Sequence, residues 1–576
     1  MHCSRGRSRR CLQDVSSLNL AVPSGAAFFL RALTLVLVRY LPQNRAVNAL
    51  RVEAVQRWVI RTDRVAPWAA VAISIAAYAF GMAHTAARPT GTFLGWWGWT
   101  DQGLYLKAAK AWSHGVLDAA EHWYFPGYAL LAAPFVRLFP LDPFTPVDVL
   151  GLGVSTLLFC ALASQLLARP GAATLGALVW IVTVPANPLA LVIWIEPWNT
   201  TPVATLALAS LVLVTKLIDG GGARVAAGLG ACAGAVLLFR PTDAAILIAA
   251  TGVVAGVVVI LRRDWRAAAA GLATATLCIV VFVALYDAVY GWNTSYYLRW
   301  SALVGFEWRL LPLRWVTLVD DPAPLIPGEI GLSRAFWWFA PGVAGGAACL
   351  AVTRGRALAR HGAVLGAVAL HLGVYLAYRD LHPQGLIRFH NLHYFKWVLP
   401  VLGLYTTALL LVPTWQRRRG LGCGVAALTG LAFCWRAEFV PNGAPALFTG
   451  PQTLVMPRGL SDMRDAVRVT ATGNFPALYS TEFDVMAGGL PWPNSRALKT
   501  EPVPGGFIMV PIRPLPPGPA EVTFPSVMDI NAAVVPVMGR QVIWFEPPVH
   551  WGWPRRAWGR LERWRGASKE RQPSLQ

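Results

Sequence analysis

Charged residues are scarce in this chain. Asp, Glu, Lys and Arg make up 14% of its 576 residues, whereas soluble globular domains carry about 25%. Hydrophobic residues make up 55%, and the mean hydropathy is +0.48. Many apolar runs approach the ~20 residues that a helix needs to span the hydrocarbon core of a bilayer. This composition excludes a soluble globular domain and predicts a polytopic membrane protein.

Cysteine and short catalytic motifs are also rare. The chain has 8 cysteines, without metal-ligand spacing such as C-x-x-C. Residues 437–576 contain none, so the fold of this part cannot depend on disulfides. The sequence lacks an H-E-x-x-H motif, a Walker loop and a glycine-rich dinucleotide fingerprint, which disfavours nucleotide-driven chemistry.

The sign of the charge is unbalanced, with 50 Lys and Arg against 29 Asp and Glu. Nucleic acid is not the expected partner, because the arginines cluster in short loops between apolar segments, as the positive-inside rule requires. Basic clusters occupy alternate loops, at 216–224, 262–266, 354–360 and 417–419. We assign these loops to the cytoplasm, where anionic membrane lipids are their natural contacts. The N-terminus is then cytoplasmic and the C-terminus extracytoplasmic.

Apolar segments predict about eleven transmembrane helices. They are 66–83, 147–168, 172–195, 201–218, 224–240, 243–261, 267–286, 335–353, 362–378, 396–413 and 421–436. The apolar run 127–140 is too short to cross comfortably, and a crossing there would invert every later basic loop. We therefore place it along the outer surface as a juxtamembrane helix.

The two ends of the chain differ from this apolar centre. Residues 1–65 form a basic leader without a convincing signal-peptide cleavage site. Within it, residues 43–64 have the pattern of an amphipathic helix, either on the cytoplasmic membrane surface or as a solvated tail. Residues 437–576 contain short β-type runs separated by Pro and Gly, which predict an extracytoplasmic β-rich domain. Its basic tail, from residue 551, is expected either to dock onto phosphates or an acidic surface or to be disordered.

The most informative polar residue is Asp101, in the aromatic first outer loop, 84–146. Transfer of a sugar from a polyprenyl phosphate needs a base that deprotonates the acceptor hydroxyl, and a carboxylate can serve. The alternative is that Asp101 only caps a helix running from Gln102 to Ser113. Its aromatic surroundings and outward placement favour the catalytic role.

Other side chains predicted to face the same side are candidate substrate-binding residues. Tyr105, Tyr124 and Tyr128 have rings that can stack on sugars, although aromatic residues also anchor proteins at membrane interfaces. Glu196 ends an uncharged helix and would either orient the acceptor, pair with a cation, or mark the water boundary.

Two arginines are candidates for binding phosphate. Arg240 and Arg388 could each hold a lipid phosphate by bidentate hydrogen bonds. Snorkelling, or an Arg240–Asp243 ion pair, is the alternative. His390, His393 and Lys396 add polar groups near Arg388.

The order of these motifs resembles the GT-C superfamily of integral-membrane glycosyltransferases, of the protein-mannosyltransferase and aminoarabinose-transferase type. The resemblance covers roughly residues 66–435. It depends on Asp101-Gln102-Gly103-Leu104-Tyr105, on Tyr124-Phe125-Pro126-Gly127-Tyr128 with 130–134, on Ile195-Glu196-Pro197, on Phe239-Arg240-Pro241, and on Arg388-Phe389 before an apolar helix.

This resemblance implies an inverting enzyme that uses a polyprenyl-phosphate-linked sugar on the extracytoplasmic face, with Asp101 in the place of the first-loop catalytic residue. Many relatives carry two adjacent acidic residues there, whereas Gln102 follows here. The difference favours a mechanism without a metal or other cofactor; a divalent metal held by Asp101 and Glu196 is the disfavoured alternative.

The expected protein is therefore a multi-pass glycosyltransferase of a bacterial inner membrane, which acts on a glycan or lipid acceptor of the cell envelope. High Ala, Arg and Gly content suggests a GC-rich bacterium. The alternatives are a transporter or flippase of lipid-linked sugars, which would need broken or polar helices near mid-membrane, and a non-catalytic envelope-assembly subunit.

Overall fold

The computed structural model describes residues 45–84, 100–140, 142–306, 308, 311, 315–320, 330–378, 381, 391–410 and 419–434, together with strands between 439 and 551. The chain divides into two compact units, Met1–Thr62 and Asp63–Gln576. In the first unit the described residues, 45–62, are all helical.

Helices account for nearly all described residues before 435. They are α1 Arg45–His84, α2 Thr100–Ser113, α3 Pro126–Ala132, α4 Thr145–Leu167, α5 Ala172–Thr183, α6 Pro188–Ile195, α7 Thr200–Ile218, α8 Ala223–Ala235, α9 Pro241–Leu247, α10 Val253–Arg262, α11 Trp265–Tyr290, α12 Tyr296–Val304, α13 Leu332–Ala335, α14 Phe339–Val352, α15 Gly355–Ala377, α16 Val398–Leu410 and α17 Arg419–Cys434. Short 3₁₀ turns follow α2, α3 and α8, and another covers Asn391–Phe395; π-helical turns cover Ile248–Gly252 and Trp315–Asp320.

Among the described residues, 6 helices are long and apolar enough to cross a membrane. They are Val59–His84, Thr145–Leu167, Thr200–Ile218, Pro241–Arg262, Trp265–Tyr290 and Gly355–Ala377. Shorter apolar helices cover Ala223–Leu238, Phe339–Val352, Val398–Leu409 and Gly420–Leu431. A mainly helical chain with several helices of membrane type is thus confirmed, whereas the count of eleven stays a prediction.

One predicted span is wrong as a continuous helix. Residues 172–195 form two helices, α5 and α6, which are bent by 88° at a break of four residues or fewer. Asn187 caps α6, since its side chain accepts a hydrogen bond from the backbone N–H of Ala190, and Pro188 occupies the first helical position. An Asn-Pro pair of this kind starts a new helix rather than continuing one.

The run predicted to lie on the outer surface, 127–140, is helical only at its beginning. α3 has seven residues and is followed by a three-residue 3₁₀ turn, Ala133–Phe135. Ten residues at helical rise extend about 15 Å, half of the ~30 Å hydrocarbon core. This segment is too short to span a membrane.

Arginine side chains join several helix ends at one end of the helical bundle, which we name the basic end. Arg262 Nη1 donates a hydrogen bond to Leu217 O at 2.6 Å, and Arg360 Nη1 donates to Gln165 O at 2.7 Å. At the same end, the Asp63 carboxylate accepts backbone hydrogen bonds from Gly171 at 2.7 Å and Thr174 at 2.9 Å. The basic clusters at 216–224, 262–266 and 354–360 therefore lie together. Which side of a membrane they face stays a prediction.

The described elements after Cys434 are strands. They are β1 Phe439–Val440, β2 Ala446–Leu447, β3 Gln452–Val455, β4 Val467–Ala471, β5 Asp484–Ala487, β6 Leu490–Pro491, β7 Leu498–Val503, β8 Gly506–Pro511, β9 Ala520–Phe524, β10 Asn531–Val537, β11 Arg540–Glu546 and β12 His550–Trp551. They pair as β1-β12, as β2-β10-β11-β4-β8-β7 and as β3-β9-β5-β6. Every pair is antiparallel except β11 with β4. That these strands form an extracytoplasmic domain stays a prediction.

Candidate active site

Arg240 lies at the centre of a polar cluster at the other end of the bundle, which we name the site end. It precedes α9, where Pro241 begins the helix, and it is buried. Its Nε donates to Asp243 Oδ2 at 2.8 Å, and its Nη1 donates to Asn199 Oδ1 at 3.1 Å. The predicted Arg240–Asp243 ion pair is therefore present. It engages one of the five N–H donors of the guanidinium, so it does not exclude a ligand.

Asp243 connects α9 to two other segments. The Tyr375 hydroxyl donates to its Oδ2 at 2.6 Å, and His371 Nδ1 lies 3.7 Å from its Oδ1. His371 Nε2 lies 2.8 Å from the carbonyl oxygen of Tyr394, whose ring centre is 4.8 Å from the Arg240 guanidinium carbon. These contacts fix the position of Arg240 from α9, α15 and the 3₁₀ turn that precedes α16.

Glu196 lies in the short connection between α6 and α7, and it is only 2% exposed. Trp198 Nε1 donates to its Oε2 at 3.2 Å. The Trp198 ring stacks on His393, with ring centres 3.8 Å apart, and Thr200 Oγ1 lies 3.2 Å from His393 Nδ1. Glu196 therefore does not mark a water boundary, because protein groups enclose it.

Asp101 lies in the first turn of α2, beside this cluster. The Tyr124 hydroxyl donates a hydrogen bond to the Asp101 carboxylate. The Tyr105 ring packs 4.5 Å from that of Tyr124, which in turn lies 5.0 Å from the ring of Tyr297. Burial raises the pKa of Asp101 above the ordinary value for a carboxyl, while the Tyr124 hydrogen bond and the charge of Arg240 oppose this rise. The result is a carboxylate of increased basicity within the electrostatic influence of the Arg240 cation.

Tyr128 occupies a different place from Tyr105 and Tyr124. It is fully buried, and its hydroxyl donates to both carboxylate oxygens of Asp148, at 2.8 and 3.0 Å. Its ring packs 4.4 Å from Phe144 and 5.3 Å from Tyr105. Tyr128 therefore packs against Tyr105 of the site without making a described hydrogen bond to Asp101 or Arg240. Burial inside the protein also shows that Tyr105 and Tyr128 are not lipid-facing interface anchors.

Several site residues were not foreseen from the sequence. Asp148 is one of them, and it is fully buried in the first turn of α4. Lys396, which was expected only as a polar group near Arg388, is 1% exposed, and its Nζ donates to Thr201 Oγ1 at 2.6 Å. The sequence held signals for two of the others, since His371 and Tyr375 are polar groups one turn apart in an apolar helix. Asn199 and Tyr394 gave no such signal, because neither residue type is unusual in a connecting segment.

Some predicted residues cannot be placed in this cluster. Arg388 and His390 lie outside the described residues. Within the part of the chain that the structure describes, no group of three or more His, Cys, Asp or Glu side chains is arranged to hold a metal ion. The structure thus brings together Asp101, Tyr105, Tyr124, Glu196 and Arg240, with Tyr128 behind them.

Neither a family model nor a curated protein matches this sequence. The chemistry of the cluster itself is specific. The cluster combines a base of raised pKa, a guanidinium held by three segments and several tyrosine side chains. This combination suits a substrate that carries both an anionic group and hydroxyl groups.

Proposed function

We propose that the protein is a membrane glycosyltransferase of the GT-C type, which transfers a sugar from a polyprenyl-phosphate donor to an acceptor of the cell envelope with inversion. One observation carries this proposal: Asp101 on the first loop helix lies close enough to Arg240 for the guanidinium to lower the carboxyl pKa. These two residues are 139 positions apart in the chain. They supply the base and the phosphate-binding cation that the transfer needs.

In the proposed reaction, the acceptor hydroxyl oxygen attacks the anomeric carbon of the donor sugar. The bond from that carbon to the phosphate oxygen breaks, and its electron pair leaves with the polyprenyl phosphate. Asp101 accepts the proton of the attacking hydroxyl, and its raised pKa makes it a better base near neutral pH. Arg240 stabilises the charge that develops on the phosphate.

Acidic side chains outnumber basic ones in the described cluster, which favours a second cation for the phosphate. Asp101, Asp148, Glu196 and Asp243 are acidic, whereas Arg240 and Lys396 are basic. A departing phosphate would add negative charge among them. We therefore assign the phosphate to Arg240 together with Arg388, which follows the Tyr375 end of α15 by only 13 residues.

An apolar groove of about 780 Å³ supports a lipid-linked donor. Its wall on α15 includes Gly362, Gly366 and Gly373, and Trp315 and Leu402 line it from other segments. α15 also carries His371 and Tyr375 of the polar cluster. A lipid tail in the groove would therefore lie along the same helix that positions its phosphate.

The proposed enzyme spans a bacterial inner membrane with the site end outside. The six long helices, the broken pair α5–α6 counted as one span and the four shorter apolar helices together would give eleven crossings. The N-terminus is then cytoplasmic, and the strands after residue 438 form an extracytoplasmic β-rich domain.

Asp101→Asn tests the proposal, because it keeps the size of the side chain but removes the base. We expect transfer from a polyprenyl-phosphate donor to fall by about 10²–10⁴-fold, with purified protein in detergent and thin-layer detection of the released polyprenyl phosphate. Asp118→Asn is the matched control, since Asp118 is exposed on the same loop and its side chain accepts a hydrogen bond from Ala120 N, with no described contact to Asp101. Unchanged transfer by Asp101→Asn would remove Asp101 from the mechanism.

A transporter of lipid-linked sugars is the second candidate, and the break between α5 and α6 favours it. Transporters bind substrate at discontinuous helices near the middle of the membrane. α5 has 12 residues and extends about 18 Å from the basic end, which places the break inside the bundle. The same assay separates the two functions, because a transporter would move the donor without releasing polyprenyl phosphate.

A further inference from the structure

A second cavity lies at the site end, next to Tyr124. It has a volume of about 360 Å³, which is within the range of small-ligand pockets. Two segments line it. The first contributes Ala119, Ala120 and Trp123, and the second contributes Tyr290, Asn293, Thr294, Ser295, Tyr296 and Arg299. The reaction proposed above does not use any of these side chains.

The cavity is built on fixed backbone. The Tyr290 hydroxyl donates to the carbonyl oxygens of His122 at 2.8 Å and Tyr124 at 3.1 Å. These hydrogen bonds connect α11 to the loop segment that carries Trp123. The Tyr286 hydroxyl donates to Asn293 O at 2.9 Å and accepts from Ser295 N at 2.7 Å. These contacts fix the turn between α11 and α12, and they do not involve the side chains of Trp123, Tyr296 or Arg299.

Aromatic and polar groups share the cavity. The Trp123 and Tyr296 rings pack with centres 3.9 Å apart, and Tyr296 remains 50% exposed. The Arg299 guanidinium carbon lies 5.6 Å from the Tyr296 ring centre. Asn293 and Thr294 add an amide and a hydroxyl. Aromatic faces, together with an amide, a hydroxyl and a guanidinium, are the groups that bind saccharides.

The charge of the cavity indicates the kind of saccharide. Among its described lining residues, Arg299 is charged and none is acidic. Two carboxylates of the first loop are engaged: Glu121 pairs with Lys107 at 3.1 Å, and the Asp118 side chain accepts from Ala120 N at 2.9 Å. An exposed guanidinium facing the cavity favours a sugar that carries a carboxylate or another anionic group.

We propose that the cavity between Trp123, Asn293, Tyr296 and Arg299 is the acceptor subsite, and that it binds an anionic saccharide. The role of this cavity as an acceptor subsite rests on the proposed function. The cavity is close to the proposed base, because Trp123 directly precedes Tyr124, whose hydroxyl donates to Asp101. An acceptor held there would present its terminal hydroxyl toward the Asp101 carboxylate. The binding itself does not depend on catalysis.

Direct binding to the full chain in detergent tests the subsite, by saturation-transfer NMR with trigalacturonate and with uncharged maltotriose as probes. We expect wild-type protein to bind trigalacturonate better than maltotriose. Tyr296→Ala should weaken trigalacturonate binding by about 3- to 10-fold, and Arg299→Gln should remove the preference for the anionic probe. Absence of trigalacturonate binding by the wild type, or equal binding by Tyr296→Ala, would overturn the proposal.

Trp292→Ala is the control against a membrane-anchoring role. Trp292 is 83% exposed in the same turn but does not line the cavity. If the aromatic residues here served only as interface anchors, Trp292→Ala would act like Tyr296→Ala, and the subsite would be rejected. Binding that depends on Tyr296 in a protein without transferase activity would reject the proposed function but keep the subsite.

Discussion

At the scale of single residues, the site depends on how protein groups alter one carboxylate. Enclosure by tyrosines disfavours the charged form of Asp101, whereas the Tyr124 hydroxyl and the Arg240 cation favour it. The net effect is a raised pKa. Because its pKa is raised, Asp101 takes up a proton at a pH at which an exposed aspartate, with a pKa of about 3.9, is still ionised.

The acid limb of the pH–rate profile should report this shift. The carboxylate is the active form, so kcat/KM should fall as the pH drops through the raised pKa of Asp101. Tyr124→Phe removes the hydrogen bond that lowers this pKa, and the midpoint of the acid limb should therefore move to higher pH. The measurement is donor kcat/KM between about pH 4.5 and 8.

Tyr405→Phe is the matched control for that profile. The Tyr405 hydroxyl lies 3.1 Å from His361 Nδ1 and makes no described contact with Asp101. It should leave the midpoint unchanged. A midpoint that moves down, or not at all, in Tyr124→Phe would show that Asp101 is not the titrating base.

The sequence identified candidate site residues where a charged side chain would be costly to bury. Asp101, Glu196 and Arg240 stood out because each interrupts an apolar environment. Their partners did not stand out, since Asn199 and Tyr394 become site residues only when distant segments meet. Asp148 was overlooked, although it lies in the first turn of a helix that otherwise carries no charge.

At the scale of elements, glycine determines how closely helices approach one another. A Cβ added to Gly345 of α14 would collide with the carbonyl oxygen of Tyr405 in α16, and one added to Gly342 would collide with Leu402 O. Small residues at such crossings allow backbones to pack closely. By contrast, a Cβ added to Gly366 of α15 would meet no described heavy atom within 4 Å.

Gly345→Ala and Gly366→Ala should therefore have opposite effects on stability. Gly345→Ala should destabilise the protein by about 1–3 kcal/mol, because α14 and α16 must separate. Gly366→Ala should be neutral or stabilising by up to ~1 kcal/mol, because alanine is the better helix former. Thermal unfolding in detergent, followed by size-exclusion chromatography, measures both. Equal melting temperatures would contradict the close crossing of α14 and α16.

Element boundaries were predictable where hydrophobicity determines them and not where local capping does. The apolar run 172–195 is long enough to predict one span, and its composition gives no reason to divide it. The break depends instead on Pro185 and on Asn187 with Pro188, whose backbone preferences overcome the apolar pattern. Capping signals inside an apolar run thus deserve the weight that they carry in soluble helices.

At the scale of the whole molecule, the two ends of the bundle have different chemistry. Arginines from α10 and α15 hold the basic end together through backbone carbonyls at the ends of α4 and α7. The acidic and aromatic residues of the cluster lie where the other ends of these helices meet. The alternation of basic loops in the sequence already predicted this separation, because each apolar span carries the chain from one end to the other.

Cysteine labelling in intact cells should establish which end faces outward. In a background without native cysteines, Asp118→Cys at the site end should react with a membrane-impermeant maleimide, because the side chain is exposed. Arg356→Cys, exposed at the basic end, should react only after the membrane is permeabilised. Labelling of residue 356 but not residue 118 in intact cells would place Asp101 and Arg240 in the cytoplasm, where a donor and acceptor of the outer face could not reach them.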